Sequence, residues 1–124
     1  NFTIDSAEVY EPPYLFDGNR KAPRPVLRGA PKRLGWNKRA RLRVKRARRD
    51  RAVTRAVLMA PSATTHAVDM NQRYVPLRVV RSSRRSLTVR APANGNIAPP
   101  GYYMLFAVDD TGTPSVARWV RIGR

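Results

Sequence analysis

The sequence contains no cysteine and a single histidine, His66. The first absence removes disulfides, zinc knuckles and thiol chemistry, without excluding an extracellular home. The second leaves one imidazole where a zinc or copper site takes three or four ligands. Carboxylates are scarce as well. The eight Asp and Glu are scattered, with no spacing that pairs two of them for acid–base work. No run approaches the roughly 18 apolar residues of a membrane span. No charged-then-apolar N-terminal segment looks like a signal peptide. The chain opens directly on strand-like residues at Asn1, so any targeting signal is expected upstream. Long helical periodicity is also missing. Seven glycines and eleven prolines interrupt the 124 residues, which favours short strands joined by turns.

What is abundant is positive charge: 25 Lys and Arg give a net charge of +17. Such a balance points to anionic partners, whether nucleic acid, acidic polysaccharide or a membrane surface. A compositional reading competes with it, because 21 Arg against 4 Lys is what a GC-rich genome would produce. Residues 32–55 hold twelve of the basic side chains and one acid, Asp50. As a helix this stretch would be a basic arm, but it would have almost no apolar stripe to bury. As a strand, Ala40 to Lys45 alternates with Leu42 and Val44 inward and Arg41, Arg43 and Lys45 outward. The strand reading is preferred, with Arg46 to Arg51 as an exposed, solvated turn. If an anionic polymer binds, the Lys32–Arg55 region is the expected place.

The remaining segments read as strands and turns. Phe2, Ile4, Val9 and Tyr10 alternate weakly, and Pro12-Pro13 favours an extended approach to Tyr14-Leu15-Phe16. Asp17-Gly18-Asn19 is a turn. Ala22 to Leu27 carries two prolines and suits an edge strand. Thr54 to Met59 reads as a core strand. Tyr74 to Val80 places Val75, Leu77 and Val79 on one face, and Ser86 to Val89 is short. Ala91 to Pro100 is a turn-rich loop, and Gly101 to Val108 is the most apolar strand. Asp109 to Gly112 is a hairpin turn leading to Ser115–Ile122. About seven strands at this spacing, with no internal repeat, predict an all-β, immunoglobulin-like β-sandwich.

His66 lies in the stretch MAPSATTHAVDMNQRYVP, Met59 to Pro76, between two strand-like runs. A lone histidine in such a loop is a place where a β-scaffold could present a metal ligand, although many such residues only cap or pack. Its surroundings carry more. Ala7-Glu8-Val9-Tyr10 leads into Pro12-Pro13-Tyr14-Leu15-Phe16. Thr65-His66 is followed by Asp69-Met70-Asn71-Gln72-Arg73 and Pro76-Leu77. Pro99-Pro100-Gly101-Tyr102-Tyr103-Met104-Leu105-Phe106 is followed by Gly112-Thr113-Pro114-Ser115-Val116-Ala117. This set, in this order, resembles the C-terminal domain of the galactose oxidase and glyoxal oxidase family of radical copper oxidases. Residues 32–55 carry no motif of that family.

The resemblance implies an early-set immunoglobulin-like sandwich over residues 1–124, packed in the intact protein against a kelch β-propeller that is absent from this chain. It implies a hairpin reaching up the propeller's channel with a copper-ligating histidine at its tip, and the matching position is His66. The remaining copper ligands, a second histidine and two tyrosines, would lie on the propeller. So would the cysteine cross-linked to one of those tyrosines. It implies oxidation of a primary alcohol or aldehyde with hydrogen peroxide as product, and a secreted or cell-surface location. Thr64, Thr65 and Asp69 are the nearby candidates to hold the second ring nitrogen of His66. The alternatives are a non-catalytic interaction domain of a copper-free propeller, and a basic module binding nucleic acid or another anionic polymer.

Other residues admit plainer readings. Tyr102 and Tyr103 fall on opposite faces, one to the core and one to an interface. Trp119 is a core or interface anchor. Trp36, beside Lys38 and Arg39, could stack on a sugar or a base, but is better read as a strand residue covering apolar surface. Ser115 has no base with which to act as a nucleophile. Gly95 and Gly101 are turn glycines without a phosphate-cradling pattern.

Overall fold

Alternation of buried and exposed residues builds two antiparallel-dominated sheets that close on one core. The computed structural model describes residues 8–66 and 68–123; the strand-like Phe2 and Ile4 lie outside them. A short hairpin pairs β1 (Phe16–Asp17) with β2 (Arg20–Lys21) around Gly18. It is followed by β3 (Val26–Gly29), β4 (Arg33–Leu34), β5 (Arg39–Lys45), β6 (Val53–Ala60), β7 (Ala63–Thr65) and β8 (Val68–Met70). Then come β9 (Arg73–Pro76), β10 (Arg78–Ser82), β11 (Ser86–Arg90), β12 (Gly101–Asp109) and β13 (Arg118–Ile122). One sheet has the order β10-β11-β5-β3 and the other β4-β13-β12-β6-β9, with β7 and β8 paired apart. This is an immunoglobulin-like β-sandwich.

The core forms where the two inner faces meet. Leu27, Leu42, Val44, Leu87 and Val89 come from the first sheet, and Ala56, Leu58, Val75, Leu105, Val120 and Ile122 from the second. Leu42, Leu58, Leu87, Leu105 and Ile122 are fully buried. On β5 the buried residues are Leu42 and Val44 while Arg41, Arg43 and Lys45 face out, the period-two pattern of a half-buried strand.

The two main sheets hold nine strands, two more than the seven apolar runs. One addition is β4, two residues paired in parallel with β13 through Arg121↔Arg33 and Ile122↔Leu34. The other arises because Tyr74–Val80 is not one strand. The chain leaves the five-stranded sheet after Pro76 and joins the four-stranded sheet at Arg78. Leu77, between them, is buried and donates its N–H to the Ala56 carbonyl at 2.9 Å. Pro76 has no N–H to extend the ladder, which suits a corner of this kind.

Two further segments depart from the sequence reading. Pro13–Leu15 forms a single 3₁₀ turn instead of an extended approach, closed by Leu15 N–H to Pro12 O at 3.0 Å. Proline is tolerated at the first position of such a turn because its missing N–H has no partner there. The last strand begins at Arg118, not Ser115. The carbonyls of Pro114 and Ser115 accept from Arg24 Nε at 2.8 Å and Nη2 at 2.7 Å. The buried Ser115 Oγ accepts from Ala107 N–H at 3.0 Å. Residues 113–117 are thus pinned by side chains, leaving only the isolated bridge Val108↔Pro114. The turn before them is organised by Asp109, whose Oδ1 accepts from Thr111 N at 3.0 Å, Thr111 Oγ1 at 2.7 Å and Thr113 N at 2.9 Å.

Leu105→Ala is expected to lower unfolding free energy by about 2–5 kcal/mol, because it opens a cavity in the packed centre. Tyr102→Ala, at a side chain 62% exposed, should cost far less. Denaturant titration checks both. Burial raises the Tyr103 hydroxyl above its ordinary 10.0, against the opposing pull of the Arg73 charge. The folded state therefore holds this proton more tightly than the unfolded chain does. Its contribution is complete below pH 10.0 and is lost as pH rises from there through the folded value. Tyr103→Phe should flatten that alkaline loss in stability measured against pH.

Candidate functional site

Beyond the end of β6 the chain pairs with itself before returning as β9. Thr65↔Val68, Thr64↔Asp69 and Ala63↔Met70 are opposite one another, so the connection is two residues long and His66 is its first. A two-residue hairpin loop needs positive φ to match strand twist, and His66 has φ 51°. Asn71, where the hairpin rejoins β9, has φ 72°, a conformation Asn accommodates better than most residues. His66 and all side chains from Val68 to Gln72 are exposed, including the apolar Val68 and Met70 at 54% and 55%. Residues 61–72 thus form a finger standing off the sandwich, with the imidazole at its tip.

The root of the finger is fastened. Gln72 Nε2 donates to the Asp69 carboxylate across the returning strand. Arg73 Nη1 donates to the carbonyls of Asn96 at 3.2 Å and Ile97 at 3.0 Å, tying the base to the 91–100 loop. That loop is itself ordered by Asn94 Oδ1, which accepts from Asn96 N at 3.0 Å and Ile97 N at 3.3 Å. Asp69, Gln72 and Arg73 therefore brace the hairpin. The side chains of Thr64 and Thr65 lie outside the described residues.

Among the described residues no group of three or more His, Asp or Glu could hold a metal. The single imidazole of His66 suits copper as a donor, but only with further ligands from elsewhere. The tyrosine, serine and tryptophan candidates are placed as follows. Tyr103 is buried and its hydroxyl donates to Pro99 O at 2.9 Å, while Tyr102 is exposed on the opposite face. Ser115 is a buried structural residue. Trp36 sits in a turn and not a strand. Its indole N–H donates to Ala98 O at 3.0 Å and its ring lies over Gly95, where a Cβ would come within 3.2 Å of Cζ2. It covers apolar surface as expected.

Trp119 is 58% exposed and no part of the core. It stands on the outer face of the five-stranded sheet, in register with Met104, then Met59, then Tyr74. Four large side chains from four strands thus make an apolar row across the sheet from which the finger rises. Sequence spacing did not reveal this row, because it exists only through long-range register. The Lys32–Arg55 stretch is divided by the fold. Arg33 and Arg55 belong to the five-stranded sheet, whereas Arg41, Arg43 and Lys45 face outward from the four-stranded one. Arg46 to Arg51 is a turn, half-buried at Arg46 and Arg51, with Arg51 3.7 Å and Arg48 3.9 Å from Asp17.

An early-set sandwich bearing one histidine on a braced, exposed finger is the class that this geometry defines. Residues 24–122 match the family model described as galactose oxidase-like, early set domain. The chain is 34% identical over 123 residues to an aldehyde oxidase of Arabidopsis thaliana, a match covering 93% of this chain and 20% of that protein. It is 30% identical over 118 residues to a galactose oxidase of Gibberella zeae, covering 94% of this chain and 17% of that protein. A solved structure of a fungal alcohol oxidase of the AA5 family, in complex with copper, aligns with a TM-score of 0.79 at 32% identity. That alignment covers 91% of this chain and 24% of that one. The chain belongs to the galactose oxidase-like early set domain family, and it spans about a fifth of the length of these relatives.

Arg73→Ala should loosen the finger's root. Amide hydrogen exchange is expected to quicken by about two- to ten-fold at residues 94–98, the range that losing ordinary hydrogen bonds implies. β12 should be unchanged.

Proposed function

We propose that residues 1–124 are the C-terminal domain of a copper radical oxidase of the galactose oxidase and glyoxal oxidase type. In this reading the chain lends His66 to a copper site on a kelch propeller and braces that propeller. The observation that carries it is the exposed imidazole of His66 at the tip of the self-paired finger, in a chain of this family. Copper, when bound together with the propeller's tyrosyl radical, supplies the two-electron oxidation of a primary alcohol or aldehyde, with hydrogen peroxide formed from oxygen.

The chain's own part is positional. The finger's ladder and its anchored root place His66 at an exposed turn, from which its imidazole would be offered to a neighbour's site. The pairing of Asp69 with Gln72 holds a carboxylate on the finger's returning side. Val68 and Met70, apolar and exposed, suit a protein-lined passage better than water. The row Trp119, Met104, Met59 and Tyr74 supplies an aromatic- and Met-rich surface for a large partner domain. The substrate would be chosen by the propeller. A secreted or cell-surface location follows from the same reading.

His66→Ala in the full-length protein is expected to cut bound copper and copper-dependent peroxide production by more than about 100-fold, above the loss from disturbing a ligand's support. The unfolding midpoint should stay unchanged, since the tip is exposed. Peroxide production that survives the substitution would sink the ligand role. A wild-type protein that binds no copper would leave the domain a non-catalytic brace.

A further inference from the structure

The outer face of the four-stranded sheet carries a feature that copper chemistry does not use. The edge of β3, the outward side chains of β5, the Arg46–Arg49 turn and the β10–β11 turn enclose an open trough of about 1120 Å³. Ten of its thirteen lining residues are Arg or Lys, and none is acidic. Among the described residues only Arg48 of these ten has a carboxylate within ion-pair distance, Asp17 at 3.9 Å. Like charges side by side on a sheet are destabilising, and concave walls concentrate their field.

The trough is built and not merely charged. Gly29 lets the Arg43 guanidinium lie across the β3 bulge, where a Cβ would come within 2.7 Å of Nε. Arg118 crosses from the other sheet, donating from Nε to Leu27 O at 2.7 Å. The Arg84–Arg85 turn is fixed by Val44 N–H to Arg85 O at 2.9 Å and by the Ser83–Ser86 hydroxyl pair at 2.9 Å. Arg46 keeps a buried Nε with no partner, a donor short of an acceptor. The site draws Arg28, Arg84, Arg85 and Arg118 from outside the Lys32–Arg55 stretch and leaves out Lys32, Arg33 and Arg55.

We propose that this trough binds an acidic polysaccharide, its carboxylate or sulfate groups held by arginine forks. Planar guanidinium groups match such oxyanions two bonds at a time. No aromatic side chain lines the trough, so single-stranded nucleic acid finds no stacking platform. A concave sheet face offers no helix or ribbon to enter a duplex groove. This inference does not rest on the copper reading.

The test is titration of the full-length protein with a heparin decasaccharide, a single-stranded DNA oligomer of equal charge, and neutral dextran, across a salt series. Arg49→Gln/Arg85→Gln, both exposed and on different turns, should weaken heparin binding by at least about ten-fold. The slope of log affinity against log salt should fall by about two, one for each cation removed. Arg33→Gln/Arg55→Gln, the same charge change on the other sheet, should weaken it less than about two-fold. Arg43→Gln/Arg46→Gln, checked for folding by circular dichroism, should repeat the first result. Equal losses from the trough pair and the Arg33/Arg55 pair would reduce the attraction to net charge and overturn the site. Tighter binding of the DNA than of the saccharide would overturn the choice of partner.

Discussion

The ladder between β6 and β12 is the constraint on which the rest depends. Its register, from Met104↔Met59 to Ala107↔Ala56, places Leu58 and Leu105 in the core and Met59 and Met104 on the outer face. A slip of one residue would exchange the two sets. It would also rotate β9, which pairs with β6 through Leu58↔Val75, and with it the root of the finger. Hydrophobic burial in the centre thereby fixes the direction in which an exposed imidazole leaves the domain. His66 and the side chains from Val68 to Gln72 are exposed, so this part of the finger adds little to that stability.

Much of this was legible in the chain itself. Strict alternation in β5 and the apolar run of β12 identify strands because a half-buried sheet imposes a period of two. Residues 66–73 were marked by the family resemblance of Thr65-His66 and Asp69 to Arg73, since a lone histidine in a loop often only caps or packs. What local spacing could not carry is the change of sheet at Leu77. Val75, Leu77 and Val79 keep one alternation through a corner; Pro76 is a local mark of a break, but it does not report that the hydrogen-bonding partner has changed from β6 to β11. Trp119 is the opposite case. Its size suggested possible burial, but the parity of Val120 and Ile122 sends it outward.

The basic residues show the same limit. A run of twelve cations in residues 32–55 is conspicuous as a string, yet the sandwich deals its members to two sheets. The residues that gather on one side come from four separate stretches, joined by strand pairing and by the Arg118 crossing. Arginine serves two purposes in this fold. Arg24, Arg73 and Arg118 spend their guanidinium groups on backbone carbonyls, closing irregular segments that lack ladder partners. Arg46 and Arg90 reach carbonyls too, those of Arg49 and Asn37, and most of the other described arginines are exposed.

The corner at Leu77 joins a strand of one layer directly to a strand of the other. The outer surfaces of those layers point in opposite directions, one greasy beneath the finger and the other cationic. A body resting on the first casts no shadow on the second, so the module has the layout of a two-sided connector. The one-residue link between them is buried and hydrogen-bonded to the β6 carbonyl of Ala56, so both sides are built on one shared core.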